Sequence, residues 1–165
     1  MMFTDEDQEA TALGHDKTLA LATSCEWLQI LLSHQERILD CVDVLATAKD
    51  DMAWRLQLAL VQDAVCRHFG LEDVVENAGA HAVPLRAHAV IADASRRRIQ
   101  RHLEALSALT IRSAQSLIER LRSDLEDHFF AEESRSYRPL ARQQSDAAKA
   151  ALARLCGAVV AGSLQ

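Results

Sequence analysis

Apolar residues recur three and four positions apart along most of this chain, and that spacing is typical of amphipathic helices. In the first such stretch Leu31, His34 and Ile38 share one face. Turn signals interrupt the pattern at Asn77-Ala78-Gly79, and Pro84 suits the first turn of the next helix. The predicted helices cover about residues 18–48, 51–77, 84–106, 111–138 and 143–160. The sequence therefore predicts an all-α protein, an up-down-up-down four-helix bundle with an additional C-terminal helix.

Composition supports this fold and suggests the domain organisation. Only five Gly and two Pro occur in 165 residues, so few positions interrupt a helix. We expect residues 1–16 to be a mobile N-terminal segment, residues 17–140 to form the four-helix bundle, and residues 141–165 to form a C-terminal helix and tail. The C-terminal helix could pack on the bundle or pair with a second copy, which would make a homodimer.

The charge of the chain argues against two classes of partner. A formal net charge of −6 is opposite to the excess of Lys and Arg with which general nucleic-acid binders neutralise phosphates, so we expect no nucleic acid partner. The first residues are acidic and unlike a signal peptide, and no apolar run approaches the ~20 residues of a membrane span. We therefore expect a soluble cytoplasmic protein with no membrane partner.

Several other residues favour a structural interpretation. The four cysteines are widely spaced, and three of them have apolar neighbours at helical spacing, which favours buried free thiols over disulfides or zinc ligands. The run Arg96-Arg97-Arg98 is typical of a solvated helix face paired with acids. Trp27 and Trp54 are expected to pack in the core or at its rim. Three histidines outside the main pattern are expected to be solvated: His15, His81 and His102.

Six potential metal ligands lie at positions related by mirror symmetry about the predicted turns. The midpoints between successive histidines fall at residues 51, 78 and 108, between the helical stretches. Residues equally distant from a turn face each other in an antiparallel pair of helices, so all six side chains would meet in one layer. The six residues are His34, His68, Glu72, His88, His128 and Glu132. The sequence therefore predicts a dinuclear metal site.

Two of these ligand groups repeat the same local motif, His-x-x-x-Glu, at His68–Glu72 and His128–Glu132. Residues four apart on a helix project the same way, so each pair offers an imidazole and a carboxylate to one cavity. A carboxylate can bridge two metals, and imidazole suits iron, manganese, copper or zinc. We expect two iron ions with an oxo or hydroxo bridge as the cofactor, with zinc or manganese as alternatives. Open coordination positions would leave room for O2, NO or peroxide.

The motifs around these ligands resemble those of the hemerythrin-like family, also called HHE cation-binding domains. The resemblance covers about residues 22–140. It lies in Leu31-Leu32-Ser33-His34-Gln35-Glu36-Arg37-Ile38, Arg67-His68-Phe69-Gly70-Leu71-Glu72, Arg86-Ala87-His88 and Asp127-His128-Phe129-Phe130-Ala131-Glu132-Glu133. Hemerythrins carry a second histidine on helix three, where this chain has Ala92. The chain is more similar to the branch with a single histidine there, which includes iron- and oxygen-sensing domains and bacterial proteins linked to nitric oxide or oxidative stress.

The resemblance implies a binding or sensing protein more than a simple oxygen carrier. Three side chains could fill the position left by the missing histidine: Asp73, Glu133 and Tyr137. Three functions stay open at this point. The chain could be a non-haem di-iron protein that binds or senses O2, NO or iron; a di-iron enzyme that acts on peroxide, O2 or NO; or a helical interaction module that holds zinc or no metal.

Overall fold

Helices make up almost all of the part of the chain that the computed structural model describes, which is residues 25–78 and 83–162 without the side chains of 83–89. No strand occurs within these residues, so the all-α prediction is confirmed for them. The predicted N-terminal segment, 1–16, and the start of the predicted first helix lie outside this range. The elements are α1 (Glu26–Ala46), α2 (Asp51–Ala78), α3 (Val83–Ser107), α4 (Ile111–Glu132), a π-helical segment (Glu133–Tyr137), α5 (Arg138–Gln143) and α6 (Asp146–Val160).

The helix boundaries follow local capping chemistry. At the start of α2 the carboxylate of Asp50 accepts a hydrogen bond from the Ala53 backbone N–H at 2.8 Å, so Asp50 is the capping side chain of this helix. At the start of α6 the Ser145 hydroxyl accepts from the Ala148 N–H at 3.3 Å. The break between α3 and α4, which contains no Gly or Pro, lies where the sequence predicts it.

The predicted fourth helix, residues 111–138, is divided in the structure. Its α-helical part, α4, ends before Pro139 as predicted, but the chain does not leave the helical conformation there. The chain leaves α4 at Glu132, widens into the π-helical segment and continues as α5, with Pro139 in its first turn. The first turn is the part of a helix that accommodates a proline best, and Pro139 lies in the first turn of α5. The π-helical segment buries the side chains of Ser136 and Tyr137. It therefore extends the inner face of α4 by one further turn.

Each of the four long helices packs against the next one in the chain, and α1 also packs against α4. The helix α6 packs against α1 and α2, which confirms the expectation that it can cover the long helices. Pairing of two chains through residues 143–160 stays a prediction. The π-helical segment contacts α3, α4 and α5.

Two apolar clusters fill the interior, one on each side of the candidate ligands. The first cluster includes Ile38, Val65 and Leu125, and the second includes Leu31 and Leu71. These residues precede or follow the candidate ligands by a few positions on α1, α2 and α4. The candidate ligand layer therefore lies between two dry cores.

The spacing of apolar residues identifies the buried face of α2 only in part. Leu56 and Leu60 belong to the apolar residues along this helix but are exposed by 61% and 47%. The buried face instead carries seven residues spaced by three or four positions: Trp54, Leu58, Val61, Val65, His68, Glu72 and Val75. Apolar residues also occur on the faces of α2 next to this stripe. Their spacing alone therefore does not identify which face of the helix is buried.

The tryptophans and cysteines are mostly placed as predicted. Trp27 and Trp54 are fully buried. All four cysteines are free; Cys25 and Cys156 are buried, whereas Cys66 is exposed, so burial is confirmed for only part of the set. Burial raises the pKa of the Cys156 thiol to about 11, which keeps it protonated at neutral pH.

Within the residues described, no helix combines the length and apolar character required to cross a bilayer.

The assignment of the buried face predicts the effect of two leucine truncations. Leu121 of α4 is fully buried, so Leu121→Ala should lower the free energy of unfolding by roughly 2–5 kcal/mol through lost burial and a cavity. The control Leu60→Ala removes the same atoms from an exposed site and should change it by less than about 0.5 kcal/mol. Urea denaturation followed by circular dichroism measures both. Equal losses would contradict this assignment of the α2 faces.

Candidate metal centre

Two histidine–glutamate pairs, one on α2 and one on α4, are buried in the interior. His68 and Glu72 are each 0% exposed, and His128 and Glu132 are 2% and 1% exposed. Each pair occupies one turn of its helix, so both side chains of a pair project from the same face. The structure brings the two helices together here, since Nε2 of His128 lies 3.1 Å from Oε1 of Glu72. Four of the six predicted ligands therefore share one buried region.

The carboxylate of Glu72 is the centre of this region. Nε2 of His68 lies 3.0 Å from Oε1 of Glu72, and the Tyr137 hydroxyl donates a hydrogen bond to the same oxygen at 2.8 Å. Nε of Arg96 donates to Oε2 at 2.7 Å. Together with His128, four side chains from α2, α3, α4 and the π-helical segment surround one carboxylate. This explains how the fold accommodates a fully buried acid.

His34 of α1 borders the same region. Its ring is nearly parallel to that of His68, with an interplanar angle of 18° and centroids 6.3 Å apart. Burial, followed by the charge of His68, lowers the pKa of His34, which favours its neutral form. The side chain of the sixth predicted ligand, His88 on α3, lies outside the described residues.

Several imidazole nitrogens in the interior make no hydrogen bond to the residues described. These are Nδ1 of His34 and both ring nitrogens of His68. Nε2 of His68 is close to Glu72 but is not aligned for a hydrogen bond to it. Leaving buried polar atoms without partners costs free energy, so such nitrogens are suited to an additional ligand.

The two glutamates differ in their protonation. Burial raises the pKa of Glu72, but the His68 and His128 imidazoles beside it more than offset this and hold its pKa well below the usual value. Burial, followed by the charge of Glu72, raises the pKa of Glu132 to about 7. Two acids placed close together in a dry site commonly diverge in this way. A bound cation would attract both carboxylates and so lower the pKa of Glu132.

Arg96 contacts the candidate site, although the sequence pattern predicts it on a solvated helix face. The expectation of a solvated arginine face holds for Arg97, which pairs with Asp93, but Arg96 is only 15% exposed and reaches Glu72. A sequence signal for this exists, because Arg96 follows His88 and Ala92 at intervals of four and so continues the same helix face. The run Arg96-Arg97-Arg98 by itself favours a solvated face paired with acids.

The three candidates for a further ligand have different surroundings. Tyr137 contacts Glu72 directly. Asp73 is 61% exposed and accepts a hydrogen bond from Arg96, and Glu133 pairs with Arg138. Of the three, Tyr137 is therefore the one that the structure places at the site. His102, expected to be solvated, is instead partly buried against Asp124 at 2.8 Å.

A cavity of about 280 Å³ lies between α3 and α4 and reaches this region. His128 and Glu132 form part of its wall, and Ala92 lines it from α3. The methyl side chain of Ala92 leaves space where a larger residue would fill the wall. The cavity could admit a small molecule to His128 and Glu132.

The donor set suits a first-row metal ion, because imidazoles and carboxylates are ordinary ligands of iron, manganese and zinc. The positions of the side chains, however, satisfy Glu72 with donors from the protein itself. Among the residues described, no group of three or more His, Cys, Asp or Glu is arranged to hold a metal ion. The residues are of types that bind metal ions, and they are buried. To bind a metal, Glu72 would have to give up at least one of its hydrogen-bond or ion-pair partners in the protein.

The Tyr137 hydroxyl should stabilise the protein through Glu72. Tyr137→Phe keeps the ring, which packs edge-on to Trp27, but removes a buried hydrogen bond to a carboxylate, so it should lower the free energy of unfolding by roughly 1–3 kcal/mol. Urea denaturation of the metal-free protein measures this. In a Glu72→Gln background the same substitution should cost clearly less. An equal loss in both backgrounds would show that the hydroxyl acts through another contact.

Comparisons with known proteins give this chain no relative. No family model, no curated protein and no solved structure matches it.

Proposed function

We propose that this chain is a non-haem di-iron protein that binds or senses O2, NO or iron. The observation that supports it most is the burial of two His-x-x-x-Glu pairs against each other, with imidazole nitrogens of His34 and His68 that make no hydrogen bond to the residues described. Burying several ionisable groups together is costly unless a metal or partner compensates them. A metal would satisfy the imidazoles and both carboxylates at once.

The proposed ligands are the six residues found from the sequence: His34, His68, Glu72, His88, His128 and Glu132. The proposed architecture is the up-down-up-down four-helix bundle, and the packing of α1 against both α2 and α4 supports it. On this proposal the chain is a divergent member of the hemerythrin-like family. A cytoplasmic location belongs to the same proposal.

The protein's own residues would control what reaches the metal. The rings of Phe69 and Phe129 lie against His128 and His68 at centroid distances of 5.7 and 4.9 Å, and they exclude water from the imidazoles. The cavity beside Ala92 offers a small molecule a path to His128 and Glu132. Two bound irons would supply open coordination positions and a change of oxidation state.

Two other functions each have a specific observation in their favour. The cavity at His128 and Glu132 would also serve a di-iron enzyme that acts on peroxide, O2 or NO. Arg96 and Tyr137 donate hydrogen bonds to Glu72 and already compensate its buried carboxylate. This favours a helical module without metal. The other form of this alternative is a helical module that holds zinc. Metal content and reactivity separate these functions.

Metal analysis tests the ligand set directly. We expect the protein purified from cells grown with iron to hold two irons per chain, and Glu72→Ala or Glu132→Ala to lose most of that metal. Elemental analysis by mass spectrometry measures the ratio of metal to protein. The matched control is Glu133→Ala, which removes the neighbouring carboxylate that pairs with Arg138 and should leave the metal content unchanged. Full metal content in both the Glu72 and Glu132 variants would refute their role as ligands.

Reactivity tests separate a binding protein from an enzyme. We expect NO or O2 to bind to the iron-loaded protein in a fixed ratio to protein, with no turnover of peroxide or NO above that of free iron. Ultraviolet-visible titration and single-turnover assays measure the two quantities. Sustained turnover that His88→Ala abolishes, with metal content retained, would favour the enzyme instead.

A further inference from the structure

Arg96 lies beside Glu72, one of the proposed metal ligands, and contacts its carboxylate directly. Its Nε donates to Oε2 of Glu72 at 2.7 Å, and its guanidinium carbon lies 5.5 Å from the centre of the Phe69 ring. The remaining nitrogens bind two other acids of α2, Asp73 at 2.7 Å and Glu76 at 2.9 Å. One arginine of α3 thus binds three carboxylates of α2.

We propose that Arg96 is a resident cation that competes with metal for Glu72 and so sets the metal affinity of the site. This inference rests on the proposed function, because it concerns the same site. In the metal-free protein Arg96 compensates the buried Glu72 carboxylate. When a metal binds, the carboxylate no longer needs the guanidinium, and two positive groups on one carboxylate repel each other.

The acids beyond Glu72 give Arg96 a second place to bind. Asp73 is 61% exposed and Glu76 is 30% exposed, so both lie between the buried carboxylate and solvent. After release from Glu72 the guanidinium can keep both hydrogen bonds to these acids and turn outward. The planar guanidinium, with several donors, is suited to this exchange in a way that a lysine ammonium is not.

The exchange couples metal occupancy to the contact between α2 and α3. All three ion pairs of Arg96 connect these two helices. Metal binding would replace the innermost pair with a metal bond and leave the two outer pairs. The metal-free and metal-bound proteins would therefore differ in how tightly α3 is held to α2. A sensing role requires such a difference between two states.

The first test removes the competing charge. Arg96→Met keeps much of the aliphatic stem and should bind Co²⁺ at least about tenfold more tightly than the unsubstituted protein, because no guanidinium has to be displaced. Its melting temperature without metal should fall by roughly 5–15 °C, and saturating Co²⁺ should recover most of that loss. Visible absorption of bound Co²⁺ and thermal unfolding by circular dichroism measure these. The matched control is Arg97→Met on the same helix. Arg97 is exposed and pairs with Asp93, so its substitution should change neither the Co²⁺ affinity nor the melting temperature.

A second variant tests the outward position without touching the buried pair. Asp73→Asn with Glu76→Gln removes the acids that receive the released guanidinium, so Co²⁺ should bind several-fold more weakly than to the unsubstituted protein. Added to Arg96→Met, the same two changes should have clearly less effect. This variant also tests the inference if Arg96→Met does not fold, because it changes only partly exposed acids.

The outcomes separate the inference from the proposed function. Co²⁺ binding to the unsubstituted protein with equal or weaker binding to Arg96→Met would overturn the competition and leave the metal site intact. Co²⁺ binding to neither protein would overturn both. An Asp73→Asn, Glu76→Gln variant that binds as tightly as the unsubstituted protein would exclude the outward position of Arg96.

Discussion

One fully buried carboxylate, that of Glu72, determines the arrangement of the interior. A carboxylate without water requires positive or hydrogen-bonding partners, and here they come from four separate elements. His68 lies one turn away on the same helix, His128 comes from α4, Arg96 from α3 and Tyr137 from the π-helical segment. Each of these elements must therefore hold its position relative to α2. The two apolar clusters on either side supply the burial energy that holds them there.

Two kinds of positive charge can compensate this carboxylate. Arg96 is the one that the protein itself supplies, and a metal held by the surrounding imidazoles is the one that we propose. A guanidinium uses its fixed fork of donors, whereas a metal uses the lone pairs of imidazole nitrogens such as those of His34 and His68. The same residues thus suit a stable metal-free state and a metal-bound state. The proposed function requires both states.

The π-helical segment shows how a small backbone change adds a residue to the site. The wider turn after Glu132 brings Ser136 and Tyr137 to the inner side, and the chain then continues as α5 through Pro139. Tyr137 contacts both Glu72 and the ring of Trp27, so it connects the polar layer to the second apolar cluster. The helix α6 completes this cluster with Leu152 and Cys156. The additional C-terminal helix thus covers the end of the candidate site.

The sequence by itself determined the features that depend on residues close to one another in the chain. The helices, most of their ends and the projection of His68 with Glu72 follow from spacing and capping within one helix, which is local physics. Only the tertiary structure decided which of two adjacent apolar stripes of α2 faces inward, leaving Leu60 exposed. It also decided that Arg96 turns toward Glu72, because that contact depends on the packing of α3 against α2 and on the cost of burying a lone carboxylate. Residues far apart in the chain meet only through such packing, and no local pattern records it.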